Sequence, residues 1–177
     1  STGGSLVMST CRLATRDPMT GCLNRRAFFE QASRLFELAD QRGEGLVCVM
    51  ADIDHFKQFN DRHGHATGDQ VIKAVAAILA GGVRGTDLVC RYGGEEFCLL
   101  LPQREAADVL MLAERLRREI EDTAGSQVTS SFGMALFEPG LAGLAALVDR
   151  ADQALYDAKR TGRNRVSRWP VSEPETA

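Results

Sequence analysis

Long apolar runs are missing from this sequence. The unbroken runs are short, such as 46–51 and 98–101, and fall far short of the ~20 residues that cross a bilayer, so no helical membrane span is expected. The first residues lack a basic start followed by an apolar stretch, and no secretion leader is predicted. Positive charge is in short supply: 21 Lys and Arg against 24 Asp and Glu leave a formal net charge of −3. Gripping a nucleic acid polymer through its phosphates calls for a basic excess, so that class drops out. Small phosphorylated ligands need only a few local cations and stay in view. Cysteine pairing is also lacking. The five cysteines (Cys11, Cys22, Cys48, Cys90 and Cys98) are odd in number and form no C-x-x-C. Cys48, Cys90 and Cys98 sit within apolar runs and read as small buried hydrophobes in a reducing, cytoplasmic compartment, not as disulfide or zinc partners. No internal repeat is visible.

What is present is ordinary globular material. The 177 residues are 44% hydrophobic and 25% charged, which suits one domain with tails and excludes a wholly disordered chain. Residues 1–15 read as a linker, an expression remnant or the end of a signalling helix. Residues 16–167 read as the domain and 168–177 as a flexible tail. Sensor or membrane segments upstream in a longer protein are compatible with this.

Periodicity supplies the elements. Phe28, Ala32, Leu35, Phe36 and Ala39 share one helical face. Residues 46–51 read as a buried strand that delivers Asp52. Residues 54–68 read as a polar segment, after which Asp69 opens a helix with Val71, Ile72, Val75, Ile78 and Leu79 inward. Residues 88–92 and 97–101 flank a Gly-Gly turn as a hairpin. A third helix over 106–120 turns Leu110, Ala113, Leu116 and Ile120 inward. A strand over 128–137, a last helix carrying Leu144 through Ala158, and a short strand near Val166 complete the order. The hairpin means the sheet is not wholly parallel, so an α+β architecture is expected.

Two acidic points carry chemistry. Asp52 and Asp54 are two apart at a strand end, so both carboxylates leave on one side with the Ile53 carbonyl between them. Hard oxygen donors of this kind suit Mg²⁺ shared with substrate phosphates. Gly93-Gly94-Glu95-Glu96 places more carboxylate at a hairpin tip, where glycine lets a ligand approach the backbone. Convergence of both points on one metal is what phosphoryl and nucleotidyl transfer requires. His63-Gly64-His65 has no Cys or third His nearby, so zinc is not expected.

These residues resemble the GGDEF-domain family of diguanylate cyclases. The name motif stands as Arg91-Tyr92-Gly93-Gly94-Glu95-Glu96-Phe97. The family opening D-x-L-T-G-L-x-N-R-R corresponds to residues 17–26 (DPMTGCLNRR). D-I-D-x-F-K-x-x-N-D-x-x-G-H-x-x-G-D runs intact over 52–69, and Y-x-A-K-x-x-G-R-N over 156–164. Four motifs in order, across residues 16–167, make the resemblance specific.

The resemblance implies a mostly antiparallel central sheet wrapped by helices, as in nucleotidyl cyclases and polymerase palms. It implies that two GTP molecules condense to cyclic di-GMP across a homodimer of two half-sites, releasing two pyrophosphates. Asp52, the Ile53 carbonyl and Glu95 would hold Mg²⁺, with Mn²⁺ an acceptable substitute. Lys57 would stabilise developing phosphate charge, and Lys159 and Arg163 would hold the outer phosphates. Asn60 and Asp69 would read guanine, His65 would line the nucleotide site, and Gly93 and Gly94 would let substrate approach. An ionised Asp69 is acceptor-only and matches the paired N1 and N2 donors of guanine, which adenine lacks. Glu95 and Glu96 both stand as acceptors of the nucleophile's proton, although a metal-bound carboxylate is the poorer base. Arg84-Gly85-Thr86-Asp87 resembles the family's R-x-x-D inhibitory site, where Arg84, Asp87 and Arg115 would bind cyclic di-GMP. As a structural feature alone, the same four residues form a capped turn.

Met19 and Cys22 replace the usual leucines of the opening motif, and Glu95 replaces the aspartate of the name motif. All three exchanges keep the chemistry of the position. Two other readings stay open: a silent domain that binds nucleotide and signals by contact, and a cyclase of other or mixed product.

Overall fold

The computed structural model describes residues 14–123 and 127–171. The readings for Ser1 to Thr10, for Cys11 and for 172–177 lie outside the described residues. Leu46–Ile53 (β1) is buried at all eight positions, which requires a strand covered on both faces. Around it the chain runs α1 (Arg25–Arg42), β1, α2 (Phe56–His63), α3 (His65–Gly81), β2 (Leu88–Arg91), β3 (Glu96–Pro102), α4 (Ala106–Thr123), β4 (Ser130–Leu136), α5 (Leu144–Arg160) and β5 (Val166–Arg168). The sheet order is β2-β3-β1-β4-β5. All pairs are antiparallel except β4 with β5, as the α+β expectation of a mostly antiparallel sheet requires.

Strand alternation divides the core in two. Val47, Val49, Ala51 and Ile53 face one layer with Phe97, Leu99 and Leu101, under α2, α3 and α4. Leu46, Cys48 and Met50 face the other with Cys98 and Leu100, under α1 and α5. The buried cysteines Cys22, Cys48, Cys90 and Cys98 are all free thiols. Gly133 on β4 lets α5 ride directly on the sheet. A Cβ there would lie 2.1 Å from the Leu155 nitrogen and 2.3 Å from the Ala151 oxygen. Among the described residues no helix is long and apolar enough to cross a membrane.

Three expectations need correction. The polar segment at 54–68 is helical for most of its length. Phe56 and Phe59 bury one face of α2, and α3 begins at His65, before Asp69. Two phenylalanines at helical spacing outweighed the surrounding polar residues, and Gly64 (φ 87°) makes the break between the two helices. On α4 the inward stripe is Val109, Leu112, Ala113, Leu116 and Ile120, and Leu110 is exposed. Trp169, assigned to the flexible tail, is anchored. Its main-chain N–H donates to the Met134 carbonyl (2.8 Å), and the Arg150 guanidinium lies 4.0 Å from its ring centre.

Candidate active site

β1 carries Asp52 to the edge of the core, opposite Glu96 on β3 and Ser131 on β4. Its side chain faces α5, whose last turn supplies Lys159 as an ion-pair partner for Oδ2. Asp52 is only 7% exposed, and its Oδ1 is buried with no partner. Burial pushes the Asp52 carboxyl above the usual carboxylate range. Lys159 opposes that rise, while Glu95 and Asp54 add to it. A buried carboxylate oxygen without a donor is costly, and it suits a site that gains a cation on loading.

Asp54 does not share this role. The Thr129 hydroxyl donates to its Oδ2 (2.7 Å), the Ser131 hydroxyl to its Oδ1 (2.6 Å), and the Asn164 N–H to its Oδ2 (3.0 Å). The two carboxylates do emerge together, but the second is committed to fastening β4 and the segment after α5.

The hairpin tip is clamped by Arg91. Its Nε and Nη2 donate to the Gly94 carbonyl (3.2 and 2.9 Å), and its Nη1 reaches Asp17 (3.3 Å). Asp17 in turn accepts from the Thr20 N–H and hydroxyl (2.9 and 2.7 Å). Partial burial works against the charged Asp17, but the bonds from Thr20 and the Arg91 guanidinium outweigh it and hold its carboxyl below the ordinary value. The clamp sets the backbone of Glu95, whose carbonyl accepts from the Ile53 N–H (3.3 Å).

A cleft of about 190 Å³ results, lined by Asp52, Ile53, Lys57, Glu95, Lys159 and Arg163 among others. Six of the expected site residues therefore converge from β1, α2, the hairpin, α5 and the segment beyond it. Glu96 borders Asp52 but lines a different groove of about 440 Å³, with Arg25, Tyr92, Asp149 and Asp152. Burial, then the Asp52 charge, raises the Glu96 carboxyl. Among the described residues no cluster of three or more His, Cys, Asp or Glu side chains is arranged to hold a metal. The cleft brings the Asp52 and Glu95 carboxylates together beside Ile53, and hard oxygen donors of this kind fit Mg²⁺ bound jointly with phosphates.

Asn60, His65 and Asp69 do not line the cleft; they sit on the α2–α3 pair. Phe56 links the two places, because it lines the cleft and its ring also abuts Gly68. Gly68 is a position that the sequence reading did not single out. A Cβ there would fall 1.7 Å from Asn60 Oδ1, so only glycine leaves room for that amide. Asn60 Oδ1 is itself buried with no partner. His65 is exposed at the start of α3.

Residues 14–165 match the family model described as Diguanylate cyclase, GGDEF domain. The chain belongs to the GGDEF family. It is 39% identical over 165 residues to the response regulator PleD of Caulobacter vibrioides, covering 87% of this chain and 36% of that protein. The chain thus spans about a third of that relative's length. The coiled coil and GGDEF domain of DgcB from Caulobacter crescentus, in complex with c-di-GMP, superposes with a TM-score of 0.88 at 36% identity, covering 93% of this chain and 90% of that one. The active GGEEF domain of a diguanylate cyclase from Vibrio cholerae gives a TM-score of 0.80 at 32% identity, covering 85% of this chain and 99% of that one.

This GGDEF domain has a second charged cleft, of about 490 Å³, lined by Arg84, Arg104, Asp108, Met111 and Arg115 among others. Arg84 and Arg115 therefore share one cleft, as the resemblance implied. Asp87 does not line it. Its Oδ2 is held by Arg104 (2.7 Å) and by the Arg84 N–H (2.8 Å), with the Asp87 side chain fully buried. The capped turn and the arginine cleft are both present, and the buried acid is tied down by an arginine that no sequence signal marked.

Proposed function

We propose that this domain is a Mg²⁺-dependent diguanylate cyclase that joins two GTP molecules into cyclic di-GMP. The observation that carries this reading is the convergence of Asp52, Glu95, Lys57, Lys159 and Arg163 on one cleft. Asp52, the Ile53 carbonyl and Glu95 would hold Mg²⁺, which supplies neutralising charge to the triphosphate when bound. Lys159 and Arg163 bind the outer phosphates, Arg163 as a fork and Lys159 as a point charge. Lys57 balances the charge that develops on the α-phosphoryl group. Asn60 and Asp69 bind the guanine edge, and His65 closes the nucleotide site beside them. The unpaired Asn60 Oδ1 supports this, because a base N–H would satisfy it.

In each half-reaction the 3′-oxygen of one GTP forms a bond to the α-phosphorus of the other. The bond from that phosphorus to the bridging oxygen breaks, and pyrophosphate leaves. The 3′-hydroxyl proton passes to a carboxylate. Glu95 lies in the cleft and Glu96 lines the neighbouring groove, so Glu95 is the nearer acceptor and Glu96, unbound by the metal, the rival base. The attacking hydroxyl belongs to a nucleotide on a second copy, as the resemblance to diguanylate cyclases implies. A homodimer with two facing half-sites follows, and the reaction repeats to close the ring. Arg84 and Arg115 make the second cleft suited to the doubly anionic product, which would inhibit there. The free buried thiols fit a cytoplasmic setting.

The test is GTP turnover with Mg²⁺ at high protein concentration, read by chromatography and mass spectrometry. Wild type should yield cyclic di-GMP and pyrophosphate, and Glu95→Ala should yield neither. Arg84→Ala should yield more product at late times. No product from wild type, even with dimerisation forced by a fused coiled coil, would leave a binding module instead.

A further inference from the structure

The segment after α5 takes an unusual backbone. Arg163 and Asn164 are consecutive non-glycine residues in the left-handed region, at φ 63° and 46°. Each such residue is strained on its own, and two in a row persist only when the surroundings hold them. Arg163 is exposed and lines the active-site cleft. Asn164 points the other way and is the tethered member of the pair. Its N–H donates to Asp54 (3.0 Å), its Oδ1 accepts from Arg117 Nη1 (2.8 Å), and its Nδ2 donates to Glu121 Oε2 (3.1 Å). Arg117 is itself braced on α4. Its Nε and Nη2 donate to Glu114 Oε2 (both 3.1 Å), and its Nη1 to Glu121 Oε2 (3.2 Å).

We propose that Arg117 is a positioning residue for the phosphate end of the active site, acting through Asn164 to hold Arg163 where it meets substrate. Arg117 does not line the cleft, so its effect reaches the nucleotide only through the turn. A guanidinium suits the task because its planar fork serves Glu114, Glu121 and Asn164 together, whereas a lysine offers one point. The inference rests on Arg163 being a phosphate contact, as proposed above.

Kinetics of the full chain test it. Arg163→Ala is expected to raise the KM for GTP by about tenfold, the scale of one charge-assisted contact. Asn164→Gly keeps the left-handed backbone and the N–H to Asp54 but removes the side-chain tether. It and Arg117→Ala should each raise KM about three- to tenfold, and Arg117→Lys should recover little. Combining either with Arg163→Ala should add almost nothing further, because the positioned group is already gone. Melting temperatures separate this from a general loss of folding, since Asn164→Gly should melt within a few degrees of wild type. If Arg163→Ala raises KM while Asn164→Gly and Arg117→Ala do not, the positioning role is overturned. Full additivity with Arg163→Ala would overturn it equally. An unchanged KM in Arg163→Ala would instead overturn the phosphate assignment itself.

Discussion

Lys159 on α5 is ion-paired with Asp52 on β1, and it engages only one of the two Asp52 carboxylate oxygens. The pair joins the helix to the sheet at the mouth of the cleft and holds a buried charge in place until a ligand arrives. Lys159→Met removes that counterion. The ligand-free variant should lose about 1–3 kcal/mol of stability, the cost of leaving a buried group unsatisfied. Added Mg²⁺ should then raise its melting temperature more than it raises that of wild type, and its KM for GTP should increase. Scanning calorimetry with and without the cation, followed by initial rates, checks all three.

Gly68→Ala places a methyl group where Asn60 Oδ1 now sits. The amide must swing away, so GTP affinity should fall about tenfold, as for one misplaced base contact. Preference for GTP over ATP should narrow in competition binding. An unchanged preference would separate Asn60 from base reading.

Gly133→Ala tests the seam between β4 and α5. The added carbon meets helix backbone, which has no rotamer to yield. Overpacking of this kind typically costs about 1–3 kcal/mol, and here α5 must lift, so the upper end is expected. Denaturant unfolding should show it. Turnover should fall as well, because the same helix carries Lys159.

Asp17 gives the pH dependence. Its carboxyl is held below the ordinary 3.8 in the folded chain by Thr20 and Arg91. A depressed carboxyl contributes stability above its unfolded value and loses it as pH falls through the folded one. Asp17→Asn should therefore be less stable than wild type near neutrality, by about 0.5–1 kcal/mol for a partly exposed pair. The two curves should converge as the solution is acidified below 3.8. Thermal melts across that range decide it.

Much of this was readable along the chain because the main site residues lie in short contiguous motifs. Asp52 follows a buried run of strand residues, and Glu95 follows two glycines in a hairpin, so local pattern sufficed. The helices were read where their apolar stripes were long, as in α5. Failure came where stripes were short or adjacent. α2 offers two phenylalanines in eight residues, and on α4 Val109, Leu110, Met111 and Leu112 are consecutive apolar residues with no phase until packing chooses one. The roles of Asp54, Arg104 and Arg117 were not readable. Asp54 finds Ser131 and Asn164 at separations of 77 and 110 residues, and Arg104 finds Asp87 across 17. Spacing carries no signal at such ranges.

β1 is the first strand along the chain and lies in the middle of the sheet, flanked by β3 and β4. As a ribosome extends the chain, residues 46–53 emerge ahead of their two neighbours, encoded at 96–102 and 130–136. One edge of an almost wholly apolar strand thus waits for some eighty further residues before it is covered. Long-range pairing of this kind slows folding and leaves an adhesive edge in the meantime. The nascent chain is most vulnerable to misassociation in that interval, and the arrival of Ser130–Leu136 ends it.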